Sequence, residues 1–403
     1  MLDSGSRNRT QRPMKLAHGL HLAYCTNIHR GESWEETFHS LKHDTMAVKQ
    51  QVAPDEPYAI GLRLGAAAAK QLSQGSHLRD FRHWMDQNNC YVFTINGFPY
   101  GTFHGTRVKE HVYRPDWTSQ ERLDYTNLLF DLLVEMLPED VEGSVSTVPV
   151  SYKGFDLSDR ALGEARRHLW KCVDHLEHLS ARTGKKLHLG LEPEPMCTLE
   201  TSKEATRFFD QMRQDRRGDM RIEEHLGINY DCCHLALQYE NPHEALGRLA
   251  SNKIKISKIH LSSALKVRPT NEVRQSLEAF NDAVYYHQVI ERRQGGSLHR
   301  YRDLPEALTS APEEGATQAK EWRIHFHIPL HQAPVALYDN TSDHLLGTLD
   351  YLKAHPGTCS HLEMETYTWE VMPDTMKSRH VVDQLVEEYR WTLRQMKQHG
   401  LLN

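Results

Sequence analysis

The stretch His361-Leu362-Glu363-Met364-Glu365-Thr366-Tyr367-Thr368-Trp369, "HLEMETYTW", decides how many strands this chain has. It starts as a short strand with alternating character. A helical pattern striped by Val382, Leu385, Val386, Tyr389 and Leu393 follows it. That order, strand and then helix, makes 361–369 the last unit of a βα series. Its competitor is "WRIHFHIPLH" at 322–331, which has the same alternation. We read 322–331 as a ninth strand inside an insertion and 361–369 as strand eight, because the terminal helix follows 361–369 directly.

Seven earlier runs lead up to it, at 20–29, 58–64, 90–96, 143–151, 186–195, 225–234 and 256–265. The fourth, "GSVSTVPVS", is the weakest. Helical stripes separate the runs. Their starts carry capping signals: Ser33 with Glu36, Thr118 with Glu121, Thr201 with Glu204, and Asn241 followed by Pro242. Gly184 stops the helix that precedes the fifth run. Eight strands alternating with helices predict an α/β fold, a (β/α)8 TIM barrel, with an insertion at about 266–331 between strands seven and eight. The rival, a doubly wound open sheet, is disfavoured because no GxGxxG turn follows an early strand. Residues 1–14, "MLDSGSRNRTQRPM", lack an apolar core and read as a disordered lead. Residues 15–403 read as one barrel domain.

The bulk numbers bound the function. The 403 residues carry a net charge of −6 without a dense basic block, so a nucleic-acid footprint is not expected. No apolar run is long enough for a transmembrane segment. Seven cysteines are scattered with no CxxC, a reduced and cytoplasmic pattern. Histidine is in excess at 27, more than the 23 glycines, and most of these histidines are expected on the solvated surface.

In such a barrel the chemistry gathers where strands end. The fifth run ends in Glu192 and Glu194, and the sixth, "INYDCCH", in Asp231 and His234. The seventh carries His260, the insertion His325 and His327, and the eighth Glu363 and Glu365. Carboxylates and imidazoles from neighbouring strands suit a divalent ion such as Mn, Co, Mg or Zn. Glu192 and Glu365 could also serve as an acid/base pair. Glu363 and Glu365 share a face, so alternation cannot choose between them. Glu365 is nearer the strand end. Glu194 has an alternative role as a helix cap. Cys232 and Cys233 are adjacent and point to opposite sides, so they read as packing residues. His29, Asn96, His104 and Trp369 sit at or beyond other strand ends and are expected to contact substrate.

These residues resemble the xylose-isomerase-like barrels: sugar isomerases, ketose epimerases and endonuclease IV relatives. More narrowly, the stretches at 23–38, 91–117, 191–195 ("LEPEP"), 325–330 ("HFHIPL") and 361–373 resemble the EboE metabolite-traffic proteins of that superfamily. The resemblance implies a metal held by Glu192, Asp231, His260 and Glu365, with His234 touching substrate. His327 would replace or supplement His260, because the insertion's His-x-His is closer to the extra ligand segment of the endonuclease IV branch. The lysine that often assists catalysis in sugar isomerases is not evident at a strand end. Three functions follow as expectations: a metal-dependent isomerase or epimerase of a sugar-like or polyol metabolite, a multi-metal hydrolase of a small phosphoester, and a non-catalytic carrier. The expected partner is a small polar metabolite, with no nucleic acid; a homo-oligomer is compatible with the sequence.

Overall fold

The structure is a computed structural model. It describes residues 16–105, 108–155, 157–311, 314–373, 377 and 380–402, so the N-terminal lead lies outside the described residues. Eight parallel strands form one sheet: β1 (His21–Tyr24), β2 (Tyr58–Arg63), β3 (Cys90–Asn96), β4 (Gly143–Thr147), β5 (Leu187–Leu191), β6 (Leu226–Asp231), β7 (Lys255–Leu261) and, after an intervening second sheet, His361–Met364. The strand His361–Met364 pairs with both β1 and β7. A parallel bridge between Cys25 and Gly61 joins the first two strands, so the sheet is a nearly closed barrel. The closure needs a glycine. A Cβ on Gly61 would stand 2.2 Å from Glu363 Oε1 and 2.5 Å from the Tyr24 carbonyl oxygen.

The flanking helices begin and end as local chemistry dictates. Capping boxes form at Ser33/Glu36 and Thr201/Glu204. Asn241 caps the helix that Pro242 opens, and Gly184 ends the helix Asp159–Thr183 in the left-handed region at φ 73°. One cap differs from expectation. Ser119, not Thr118, accepts from the Glu121 amide, because Thr118 is held by Asp116. No helix among the described residues is long and apolar enough to cross a membrane.

Residues between β7 and His361 build a second, antiparallel sheet: β8 (Ala264–Val267), β9 (Val289–Arg293), β10 (Leu298–Tyr301), β11 (Ala319–His327) and β12 (Asp339–Asn340), in the order β10-β9-β11-β8-β12. The final barrel strand, His361–Met364, is therefore β13. Alternation along β11 sorts its side chains. Trp322, Ile324 and Phe326 enter a separate apolar cluster with Leu265, Leu277 and Phe280. His325 and His327 take the other face, toward the barrel mouth, where each comes within hydrogen-bond distance of His234.

The barrel interior is unusually polar, and it takes up much of the histidine excess. Twelve of the 27 histidines are buried, a large minority, and the other fifteen keep some exposure to solvent. His361 and Glu363 on β13, and Glu365 just beyond it, rise along one inward face. His361 Nδ1 meets Ser144 Oγ across the barrel at 2.8 Å. His188 Nδ1 meets Ser257 Oγ at 2.6 Å, and His21 Nδ1 meets the Tyr91 hydroxyl at 2.8 Å. Above this base, Lys258 Nζ donates to Glu363 Oε2 at 2.6 Å, and neither side chain has any solvent exposure.

Candidate metal centre

The strand register sets the site. Asp231 pairs with His260 across β6 and β7, and His260 pairs with Glu363 across β7 and β13. Two residues beyond Glu363, just past the end of β13, the same inward face brings Glu365 to the mouth. Glu192 arrives from β5, its amide bonded to the Thr147 carbonyl at 3.0 Å.

Glu192, Asp231, His260 and Glu365 converge so that one ligand atom from each lies within 4.8 Å of the others. His260 Nδ1 is the focus. It lies 3.2 Å from Glu192 Oε1, 3.3 Å from Asp231 Oδ2 and 3.0 Å from Glu365 Oε2. The opposite ring nitrogen, Nε2, is 2.9 Å from Glu363 Oε2, an acceptor already charged by its pairing with Lys258. Glu363 therefore holds a proton on Nε2, so Nδ1, facing three carboxylates, is the nitrogen that would give up its proton to bind an ion.

That arrangement fits a divalent ion. Ligands about 2.0–2.1 Å from a tetrahedral ion stand about 3.3 Å from one another, close to the spacings here. A metal-bound imidazole commonly gives its second N–H to a carboxylate, as His260 does to Glu363. Asp231 Oδ2 is buried with no hydrogen-bond partner. The other carboxylate oxygens are anchored. Asn229 donates to Glu192 Oε2 at 2.7 Å, Asn27 to Glu365 Oε1 at 2.8 Å, and Ser262 Oγ to Asp231 Oδ1 at 2.8 Å. Without an ion, charge is balanced by protonation. Burial alone would lower the His260 pKa, but Glu365 and Glu192 hold it well above the usual histidine range.

The centre opens onto a cleft of about 60 Å³. Asn27, Asn96, Glu192, Glu194, His234, His325 and Glu365 form its polar part, Phe98, Phe103, Tyr113, Tyr285, Tyr286 and Tyr367 its aromatic walls, and Lys109 stands among the lining residues. Glu194 does not cap a helix. It is buried in the cleft, its Oε2 3.2 Å from His234 Nε2, and burial pushes its carboxyl up to about 8. His327 sits one step back, its Nε2 3.3 Å from His234 Nε2.

Other residues expected at the substrate lie elsewhere. His29 is bonded to the Tyr24 hydroxyl at 2.8 Å and lines a separate small pocket beside Arg63. His104 is locked behind the cleft by the Asn27 carbonyl at 2.7 Å and the Tyr285 hydroxyl at 3.1 Å. Trp369 packs on the barrel core under Lys377. Each sits at or beyond a strand end as expected, but loop geometry turns its side chain away from the cavity. Asn96 does line it, and its Nδ2 is 3.2 Å from Glu365 Oε1.

Sequence reading missed Lys258, Asn229, Gln288 and the paired tyrosines 285 and 286. A signal existed for the first two. Lys258 and Asn229 each lie two residues before a named site residue on the same strand, so alternation puts them on the same inward face. For Gln288, Tyr285 and Tyr286 there was none, because an irregular segment with no periodicity carries them in. All seven cysteines are free and buried.

No protein-family model matches the sequence, and no curated protein does. Among solved structures, the chain is similar to the IOLI protein with a bound zinc atom (13% identity, 94% of this chain and 99% of that chain, TM-score 0.49). It is similar to an L-ribulose 3-epimerase (11% identity, 94% and 96%, TM-score 0.48). It also resembles a xylose isomerase-like TIM-barrel protein from Mycobacterium smegmatis in complex with magnesium (13% identity, 87% and 87%, TM-score 0.45).

Proposed function

We propose that this chain is a metal-dependent isomerase or epimerase acting on a small sugar-like or polyol metabolite. The observation that carries the reading is the His260 nitrogen aimed at three carboxylates on the floor of an aromatic-walled cleft. Glu192, Asp231, His260 and Glu365 would hold the ion. When bound, a divalent ion would grip a substrate's vicinal oxygens and polarise its carbonyl. Glu192 and Glu365 are the acid/base pair: one takes a proton from the carbon beside the carbonyl and the other returns one. His234 and Asn96 face the cleft and would bind substrate hydroxyls. The aromatic walls exclude water and offer flat apolar surface to a sugar's C–H face.

The stretches named above, "LEPEP" and "HFHIPL" among them, support placing the chain with the EboE metabolite-traffic proteins. The reduced cysteine pattern supports a cytoplasmic setting. A multi-metal hydrolase of a small phosphoester is the second reading, favoured by the additional histidines that His234 meets at the mouth.

A Glu192→Ala, Asp231→Ala double variant is expected to keep its circular-dichroism spectrum and lose the ion, with turnover down at least about 100-fold. Full metal content in that variant sinks the assignment. In D2O, the wild-type protein is expected to place deuterium on a substrate carbon across a panel of ketoses and polyols. Phosphate release from phosphoesters, with no such labelling, would select the hydrolase.

A further inference from the structure

The cleft above the candidate metal centre is lined by two kinds of residue, and the fold separates them. The polar ones, Asn27, Asn96, Glu192 and Glu365 among them, lie close to barrel-strand ends. The apolar ones ride mostly on loops further out. Val108, Val112 and Tyr113 come from the long segment after β3, and Tyr285 and Tyr286 from the segment that leads into β9. Phe98, just past β3, joins the two zones. The apolar wall runs outward to solvent: Phe98 and Val108 are buried, whereas Val112 and Tyr286 keep partial exposure.

The polar atoms of this wall are already engaged within the protein. The Tyr113 hydroxyl donates to Glu194 Oε1 at 3.3 Å and accepts from Gln288 Nε2 at 3.1 Å. The Tyr285 hydroxyl donates to the Phe103 carbonyl at 3.0 Å and meets His104 Nδ1 at 3.1 Å. The Tyr286 hydroxyl donates to Glu110 Oε2 at 2.8 Å. Tyr367, the fourth tyrosine of the lining, packs ring to ring on Phe103 and Tyr285. Lys109 is paired with Asp303. A sugar can lay its C–H face on one aromatic ring, but the hydroxyls at its edge need donors and acceptors. Hydroxyls pressed against this wall would go unpaired, which costs more than leaving them in water. An apolar group in the same place has no such loss and gains by leaving water. Floor and wall therefore suit different ends of one molecule.

We propose that the substrate is a ketose or polyol carrying an alkyl or aryl group at the end farthest from its reacting carbons. Its polar head meets the Glu192/Asp231/His260/Glu365 set, and its apolar group lies along Phe98, Val108, Val112 and Tyr286. The placement of the head rests on the isomerase reading above; the apolar wall does not. A free sugar fills only the floor and binds weakly by comparison.

The test is calorimetric titration of the full chain, loaded with Mn2+, with 6-O-ethers of four ketohexoses: fructose, psicose, tagatose and sorbose. The ethers are methyl, propyl, pentyl, benzyl and 2-hydroxyethyl, the last a polar match for propyl in length. For at least one ketohexose, affinity is expected to rise about fourfold for each methylene that the wall covers, at least about tenfold from methyl to propyl. The 2-hydroxyethyl ether should gain less than about twofold over methyl. Comparison of benzyl with pentyl tells an aryl from an alkyl occupant. Val112→Asn, a change on the partly exposed part of the wall, should flatten the rise while leaving the methyl ether within about twofold. Affinity that is flat or falls with chain length for all four ketohexoses overturns the proposal, and so does the absence of binding at every length. A rise that Val112→Asn leaves intact overturns this placement of the apolar group. A rise that Val112→Asn removes, with no deuterium placed on any ketose carbon in D2O, keeps the apolar subsite and drops the isomerase reading.

Discussion

Lowering the pH from about 6.5 to about 4 is expected to strip several kcal/mol of stability from this protein, through histidines buried as neutral rings. Burial brings His188 down to about 4 from an ordinary value of 6.5. It does the same to His21, and holds His361 well below the usual range. The sign follows from proton counting. Between pH 6.5 and 4 the unfolded chain binds protons at these rings and the folded chain does not, so stability is full above 6.5 and falls as the pH drops. For His188 alone the shift from 6.5 to 4 corresponds to roughly 3 kcal/mol. The charged groups around the base do not reverse this. Glu142 Oε2 lies 3.3 Å from His188 Nε2 and favours the cation, but Lys255 opposes it, and burial outweighs both. Glu142, itself held down at about 2 chiefly by His188, loses stability in the same direction at still lower pH. Urea denaturation of the metal-free protein at a series of pH values measures the slope, and His188→Gln should flatten it. A midpoint that stays constant from pH 7 to 4.5 would refute the account.

Lys258→Met is expected to cost about 3–5 kcal/mol, because it leaves the Glu363 carboxylate buried without its cation. Both side chains are fully enclosed, and Glu363 is held down at about 2, against the pull of burial, by Lys258 and His260. The double variant Lys258→Met, Glu363→Leu should recover much of the loss, since an apolar pair avoids desolvating two charges. It should not recover metal affinity. Glu363 fixes which nitrogen of His260 carries the proton, and loss of such a partner typically weakens binding by 10–100-fold. Stability and metal affinity should therefore separate in the double variant. If the single variant loses less than about 1 kcal/mol in a denaturation midpoint, the pair is not what holds the barrel centre together.

The sequence by itself determined the barrel. Period-2 runs alternating with capped helical stripes are local signals, and each of the eight runs contains a strand of the barrel. It also brought forward Glu192, Asp231, His260 and Glu365 within a wider set of strand-end residues, because such ends share one mouth; the four as one ligand set were implied only by the family resemblance. Only the tertiary structure decided between neighbours on the same face. Glu363 and Glu365 are indistinguishable by alternation. Lys258 occupies the lower one, and Asn27 and Asn96 anchor the upper beside His260. His29, His104 and Trp369 were named by position, but their orientations depend on loops whose partners are distant in the chain. Glu194, just past β5, offered a cap as an alternative role, and strand alternation could say nothing of what the second sheet would press against it. That sheet brings His325 to within 3.0 Å of His234, a contact across 91 residues. Strand periodicity reports which way a side chain faces, whereas the partner it meets is set by how separate elements pack.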